Sequence, residues 1–156
     1  MARFILQSDY AMQIRTEILR LLTAQTDFYQ NAKLVRAENT AIAQIKNRIG
    51  ARYDCATIFQ PLLSPAENGG EQIDTRDQWI VTITIDITLY HLYSQTGSKD
   101  VPEHRSQRYQ DAIDWLKDVG NGDTPCDLPA IIDPDTEEAV SDVRIWSQNA
   151  PNNHKW

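Results

Sequence analysis

Trp79-Ile80-Val81-Thr82-Ile83-Thr84-Ile85-Asp86-Ile87-Thr88-Leu89 is the stretch that decides how this chain folds. From Val81 to Leu89 apolar and polar residues alternate and most are β-branched, the pattern of a half-buried strand. The helical template fits the same letters, with Ile80, Ile83, Ile87 and Tyr90 at spacings of three, four and three. Asp74 or Thr75 is available as its cap. Local propensity favours strand. A lone strand, however, leaves its N–H and C=O groups unpaired, and no nearby segment of comparable quality could pair with it. That argument predicts helix, running on through His91-Leu92-Tyr93.

The flanking segments read as helices more directly. Upstream, Ile14, Ile18, Leu21 and Leu22 predict a first helix over about 9–24, with Ser8 or Asp9 as cap. Residues 25–35 carry mixed signals and read as a loop or a short turn of helix. Ala41, Ile42, Ile45 and Ile49 form the apolar stripe of a second helix over about 36–53, and Gly50 weakens its interior or admits a close neighbour. Pro61, Pro65, Gly69 and Gly70 mark residues 54–74 as an exposed connection. The third helix takes about 76–94. Pro102, Tyr109, Ala112, Ile113, Leu116 and Val119 predict a fourth over about 102–119, with Gly120 at its C-terminal cap. Arg105 and Arg108 are expected to face acidic neighbours such as Asp111 and Asp114 within the next turns.

After Asn121, Pro125, Pro129, Pro134 and Pro151 exclude a long helix, and the segment carries 7 acidic against 2 basic residues. Leu128, Ile131, Ile132, Val143, Ile145, Trp146 and Trp156 make it too apolar for a solvating tail, so it is expected to order against a partner. The fold class is therefore all-α: a small bundle of about four main helices with extended loops, a domain over 1–120 and an extended C-terminal arm over 121–156.

The 156 residues, 41% hydrophobic and 24% charged, are enough for one domain with a real core. The net charge of −7 is unevenly distributed. Residues 1–60 hold 8 basic and 5 acidic side chains, a net of +3; residues 61–156 hold 7 and 17, a net of −10. An acidic chain disfavours general nucleic-acid binding. Opposite signs in the two halves suit head-to-tail packing of identical subunits; solvated surfaces of unequal sign are the plainer alternative. Cys55 and Cys126 belong to no CxxC pair, and reduced cytosolic thiols are the simpler reading. The opening apolar residues are too few for a signal peptide and no run approaches a membrane span, so the chain is expected to fold in a cytosol.

No pattern nominates catalysis. His91, His104 and His154 share no metal spacing. Nucleophile-elbow, P-loop, zinc-protease and dinucleotide motifs are missing from the sequence. Asp133–Glu138 gathers carboxylates but has Glu138 and Arg144 where a calcium loop needs its glycine and glutamate. Asp86 reads as a partly buried, hydrogen-bonded structural carboxylate. Trp79, Trp115, Trp146 and Trp156 are more telling as contact residues.

The same segments carry a family resemblance. Ala41-Ile42-Ala43-Gln44-Ile45 through Arg52-Tyr53-Asp54 resembles the "AI…I…RYD" helix of the Mu-like phage head–tail connector, or head-completion, family. Ile85-Asp86-Ile87-Thr88-Leu89-Tyr90-His91-Leu92 is similar to its "DIALYHL" helix. Arg108-Tyr109-Gln110-Asp111-Ala112-Ile113-Asp114-Trp115-Leu116-Lys117 is similar to its "RYDDAIAWLK" helix, and Val143-Arg144-Ile145-Trp146-Ser147 to its closing segment. The order and spacing agree across about residues 8–147. Threonines stand in the third helix where the family has small residues, and Trp146 stands where it has phenylalanine.

The resemblance implies that the third element is helical and that the protein is a structural component of the virion rather than an enzyme, without metal or cofactor. It implies a homo-oligomeric ring, typically twelve-fold, below the portal protein. Such a ring extends the DNA channel, lets genomic DNA pass without sequence-specific binding, and docks neck or tail-completion proteins. It would be made in the host bacterial cytoplasm and reside in the neck of the virion, with no membrane partner. By analogy with related adaptors, Ile131, Ile132, Val143, Ile145 and Trp146 are the candidate interface residues. The positive N-terminal portion leaves a different class open, a phage DNA-packaging or regulatory DNA-binding protein. A small lysis hydrolase would require a convergent set of acids or a Cys–His pair, which the sequence does not nominate.

Overall fold

A computed structural model describes residues 3–62, 74–95, 101–132 and 139. Among them are six helices and no strand: α1 (Gln7–Gln13), α2 (Thr16–Thr23), α3 (Ala32–Ile49), α4 (Cys55–Ile58), α5 (Gln78–Gln95) and α6 (Glu103–Asn121). The stretch from Trp79 to Leu89 is helical, and α5 is the centre of the molecule. It packs on α3, α6 and α1, while α3 and α6 also touch each other.

The alternation along α5 is reconciled with a helix by burial on all sides. Ile80, Val81, Ile83, Ile85, Ile87, Leu89 and Leu92 are buried, and so are Thr84, Asp86 and Thr88. A helix enclosed all round needs no polar stripe. Its threonines are satisfied from within: the Thr84 hydroxyl donates to the Ile80 carbonyl at 2.7 Å and the Thr88 hydroxyl to that of Thr84 at 2.6 Å. Such i−4 bonds let a polar β-branched residue sit in a core. Asp77, rather than Asp74 or Thr75, caps the helix by accepting from the Ile80 N–H at 2.8 Å.

The expected single first helix is two. Ile14 is fully extended (φ −148°, ψ 144°), its N–H bonds to the Tyr10 carbonyl, and α2 restarts at Thr16. No proline or glycine lies at the break, so tertiary contacts impose it: Tyr10, Ile14 and Leu19 are all buried, a set that one straight helix does not put on a single face. Leu21, expected in the stripe, is instead 80% exposed. The second predicted helix begins earlier, at Ala32. Asn31 caps it, accepting from the Lys33 N–H at 2.8 Å and donating back to the Thr23 carbonyl at 3.2 Å. Gly50 is its C-terminal cap, not an interior residue. Part of the expected 54–74 loop is the single turn α4, capped by Asp54 and followed by buried Phe59.

Gly120 was the expected end of α6, yet the helix runs to Asn121 and Gly122 takes the left-handed cap (φ +84°). Gly120 has a different task. A Cβ there would lie 2.4 Å from the Arg48 carbonyl oxygen, so the ends of α3 and α6 meet backbone to backbone. Gly120→Ala should lower stability by about 1–3 kcal/mol from overpacking, less the roughly 1 kcal/mol that alanine adds to a helix interior. A net gain in a urea melt would show that the contact yields freely.

After α6 the chain returns to the end of α3. Tyr53 and Ala130 form an antiparallel bridge, Asp54 N–H donates to the Pro129 carbonyl at 2.8 Å, and Ile131 N–H to the Arg52 carbonyl at 3.0 Å. A second bridge pairs Ile132 with Ala139.

Candidate functional site

Three ionic groups, each built around a buried charge (Asp86, Glu38 and Arg76), join the segments of the bundle. Asp86 on α5 receives Arg108 of α6 in bidentate fashion, Nε to Oδ1 at 2.8 Å and Nη2 to Oδ2 at 2.9 Å, with Arg105 Nη1 at 3.6 Å. The carboxylate holds the Arg108 guanidinium well protonated. Both arginines also reach the break after α1, Arg105 to the Gln13 carbonyl at 3.4 Å and Arg108 to the Gln13 side-chain oxygen at 3.3 Å. The arginines expected to serve local partners therefore join α5, α6 and α1. Asp111 and Asp114 instead accept from Gln107 and Gln110 one turn earlier. Asp86 is the structural carboxylate expected of it.

Glu38 is the centre of the second group. It accepts from Arg3 and from the buried Tyr10 hydroxyl at 2.9 Å, while Arg3 also donates to the Tyr29 carbonyl and stacks 4.0 Å over the Tyr29 ring. Burial, then the neighbouring Glu38 charge, push the Tyr10 phenol far up, so it remains a donor.

In the third group Arg76 binds Asp74 (2.7 and 2.9 Å), Asp9 (2.7 and 3.2 Å) and the Phe4 carbonyl (2.6 Å). Asp9 also caps α1 by accepting from the Leu6 N–H. Arg76 hydrogen bonds hold the Asp74 carboxyl down at about 2, below its ordinary 3.8. A depressed folded-state value means that this stabilisation is complete above the unfolded value and is lost as the pH falls through the folded one. Unfolding free energy should therefore drop as pH falls from about 4 to about 2, and more shallowly in Asp74→Asn. Equal slopes in acid titrations of the two proteins would refute the assignment.

The remaining candidates are placed as follows. His91 is half-buried, with Nε2 3.1 Å from the Gln44 side-chain oxygen, and burial lowers its basicity. Cys55 and Cys126 are free thiols, pushed up by burial. Among the described residues, no three His, Cys, Asp or Glu side chains converge to hold a metal, and no helix is long and apolar enough to cross a membrane. The acidic run Asp133–Glu138 lies outside the described residues. A cleft of about 470 Å³ separates the end of α4 from residues 75–77 and 127–129. Its wall is mixed, with Thr57, Gln60, Asp77 and Asp127 beside the apolar Ile58, Leu62 and Leu128, and no His or Cys lines it.

Of the expected interface residues, Ile131 is half-buried beside Arg52 and Ile132 is 57% exposed. Val143, Ile145 and Trp146 lie outside the described residues. Two exposed apolar side chains were not singled out as contact residues, Met12 (88%) and Leu21 (80%); Trp79, which was, is 50% exposed and edge-on to Trp115 with ring centroids 6.0 Å apart. Met12 and Leu21 escaped notice because a continuous helix was expected across the break between them.

The two outer long helices differ in sign. Every exposed charged residue on α3 is basic: Lys33, Arg36, Lys46 and Arg48. Its acid, Glu38, is buried. On α6, Glu103, Asp111, Asp114 and Asp118 are exposed and fall within an arc of about 80° at 3.6 residues per turn, with the exposed Lys117 and Arg108 on either side of it. The buried face of the same helix, with Arg105, Ala112, Leu116 and Val119, is opposite.

No curated protein and no solved structure matches the chain. A protein-family model does, over residues 5–144, a span that takes in all six helices, the Asp86 group, the Arg76–Asp9–Asp74 ion pairs and the return to α3, and leaves out Arg3 of the Glu38 group. By that match the chain belongs to the family described as bacteriophage Mu, Gp36.

Proposed function

We propose that this phage protein is a structural subunit of the virion neck, a head–tail connector that forms a ring below the portal, extends the DNA channel and docks neck or tail-completion proteins. The observation that carries the reading is the family match along residues 5–144. A second feature supports it. The buried charges are engaged with partners from other segments, Asp86 with Arg105 and Arg108, Glu38 with Arg3, and Arg76 with Asp9 as well as its neighbour Asp74. They fix the shape of the bundle, as a subunit whose work is geometric requires. On this reading the protein is no enzyme and needs neither metal nor cofactor, and Ile131, Ile132, Val143, Ile145 and Trp146 contact the portal or neighbouring subunits.

The test is to image the purified protein by electron microscopy, alone and mixed with its portal protein. Rings of one diameter, or a stable complex with the portal, are expected. Neither forming at any protein or salt concentration would overturn the proposal. The wholly basic exposed charge of α3 favours a second reading, a DNA-binding protein for packaging or regulation. Salt-sensitive retardation of duplex DNA would support it.

A further inference from the structure

We infer that copies of this chain associate head to tail by placing the basic outer face of α3 on one copy against the acidic outer stripe of α6 on the next. The inference rests on the ring reading above and names the surfaces that would build it. The two faces are opposite in sign and similar in length. Lys33 to Lys46 covers about 20 Å of α3, and Glu103 to Asp118 about 22 Å of α6, at 1.5 Å per residue. Between the α3 charges lie Asn39, Thr40 and Ala43, all exposed and short, so a second helix can approach closely. On α6, Gln107 and Gln110 donate to Asp111 and Asp114 at 2.7 and 2.9 Å, which holds those carboxylates along the stripe.

Each helix turns its buried face inward, toward α5, and among the described residues no ion pair joins the two stripes within one copy. A surface that pairs with a different surface on its neighbour is heterologous, and repetition of it closes a ring when the rotation allows. Complementary charge of this kind fixes partner and register more than it adds affinity. DNA as the occupant of α3 is less favoured, because the chain carries a net charge of −7 and an acidic stripe of its own to offer.

The experiment uses two full-length charge-reversal variants, one carrying R36E with K33E on α3, the other D111K with D114K on α6. All four residues are exposed, so circular dichroism and melting should match the parent protein. In sedimentation velocity at low salt, each variant alone should associate at least ~10-fold more weakly than the parent, and an equimolar mixture should regain assembly, since reversed α6 then meets reversed α3. Rings that persist unchanged in both variants would overturn this inference and leave the connector reading standing. A parent protein that never assembles, with or without portal, would overturn both. Loss of assembly in each variant without recovery in the mixture, or a parent α3 that retards DNA in place of self-association, would also overturn the inference.

Discussion

Replacing Asp86 with alanine is expected to destabilise the protein by about 3–5 kcal/mol, the usual loss when one member of a buried ion pair is removed. The cost falls mainly on Arg105. Its side chain is 9% exposed, its Nε has no hydrogen-bond partner, and without Asp86 it retains only the Gln13 carbonyl at 3.4 Å. Arg108 is different, because nearly half of its side chain meets solvent and water can take over from the carboxylate. Arg108→Ala should therefore cost only about 1 kcal/mol. The double variant D86A/R105M should regain much of the loss, since it removes both buried charges together. Urea denaturation with an unchanged m-value reads all three. An Asp86→Ala midpoint within error of the parent would mean that Arg105 is hydrated and the group contributes little.

Thr84→Glu should be the most damaging substitution in α5. In a half-buried strand Thr82, Thr84, Asp86 and Thr88 would share the wet face, and glutamate at 84 would be harmless. In the helix Thr84 is fully buried, its hydroxyl tied to the Ile80 carbonyl, so a carboxylate placed there has no charged partner. An unpaired buried charge costs several kcal/mol, a large part of the roughly 5–15 kcal/mol that holds a domain of this size. The expected result is loss of cooperative thermal unfolding or expression in inclusion bodies. Thr82→Glu, two residues away and half-exposed, should stay within about 0.5 kcal/mol of the parent. If the two variants behaved alike, the enclosure of α5 would be wrong.

The contrast between Thr82 and Thr84 also marks what can be read from the chain. Propensity at Val81–Leu89 points to strand; the lack of a pairing segment and the family resemblance point to helix, and helix is what forms. Regular amphipathic elements were legible, as at Ala41, Ile45 and Ile49 or Ala112, Leu116 and Val119. The break at Ile14 was not, because nothing local requires it: Tyr10, Ile14 and Leu19 reach the core together only after the helix stops. Gly120 was misplaced for a similar reason. A glycine near a helix end reads as a cap, and the approach of the Arg48 carbonyl from another helix leaves no mark nearby. Asp86 stood out as a carboxylate in an apolar run, but its partners did not, since Asp111 and Asp114 offered Arg108 nearer ones in sequence. The opposed stripes of α3 and α6 were visible only as a difference in net charge between two halves of the chain. They became faces once burial had removed Glu38 from the surface.

The return of residues 129–131 to the corner after α3 has a mechanical consequence. Two main-chain hydrogen bonds, from Asp54 and Ile131, fasten the polypeptide there. Residues 129–131 are thus held at a fixed point on the body of the subunit and do not hang from the free end of α6. A pull on this segment loads the α3–α4 corner before it can unwind α6.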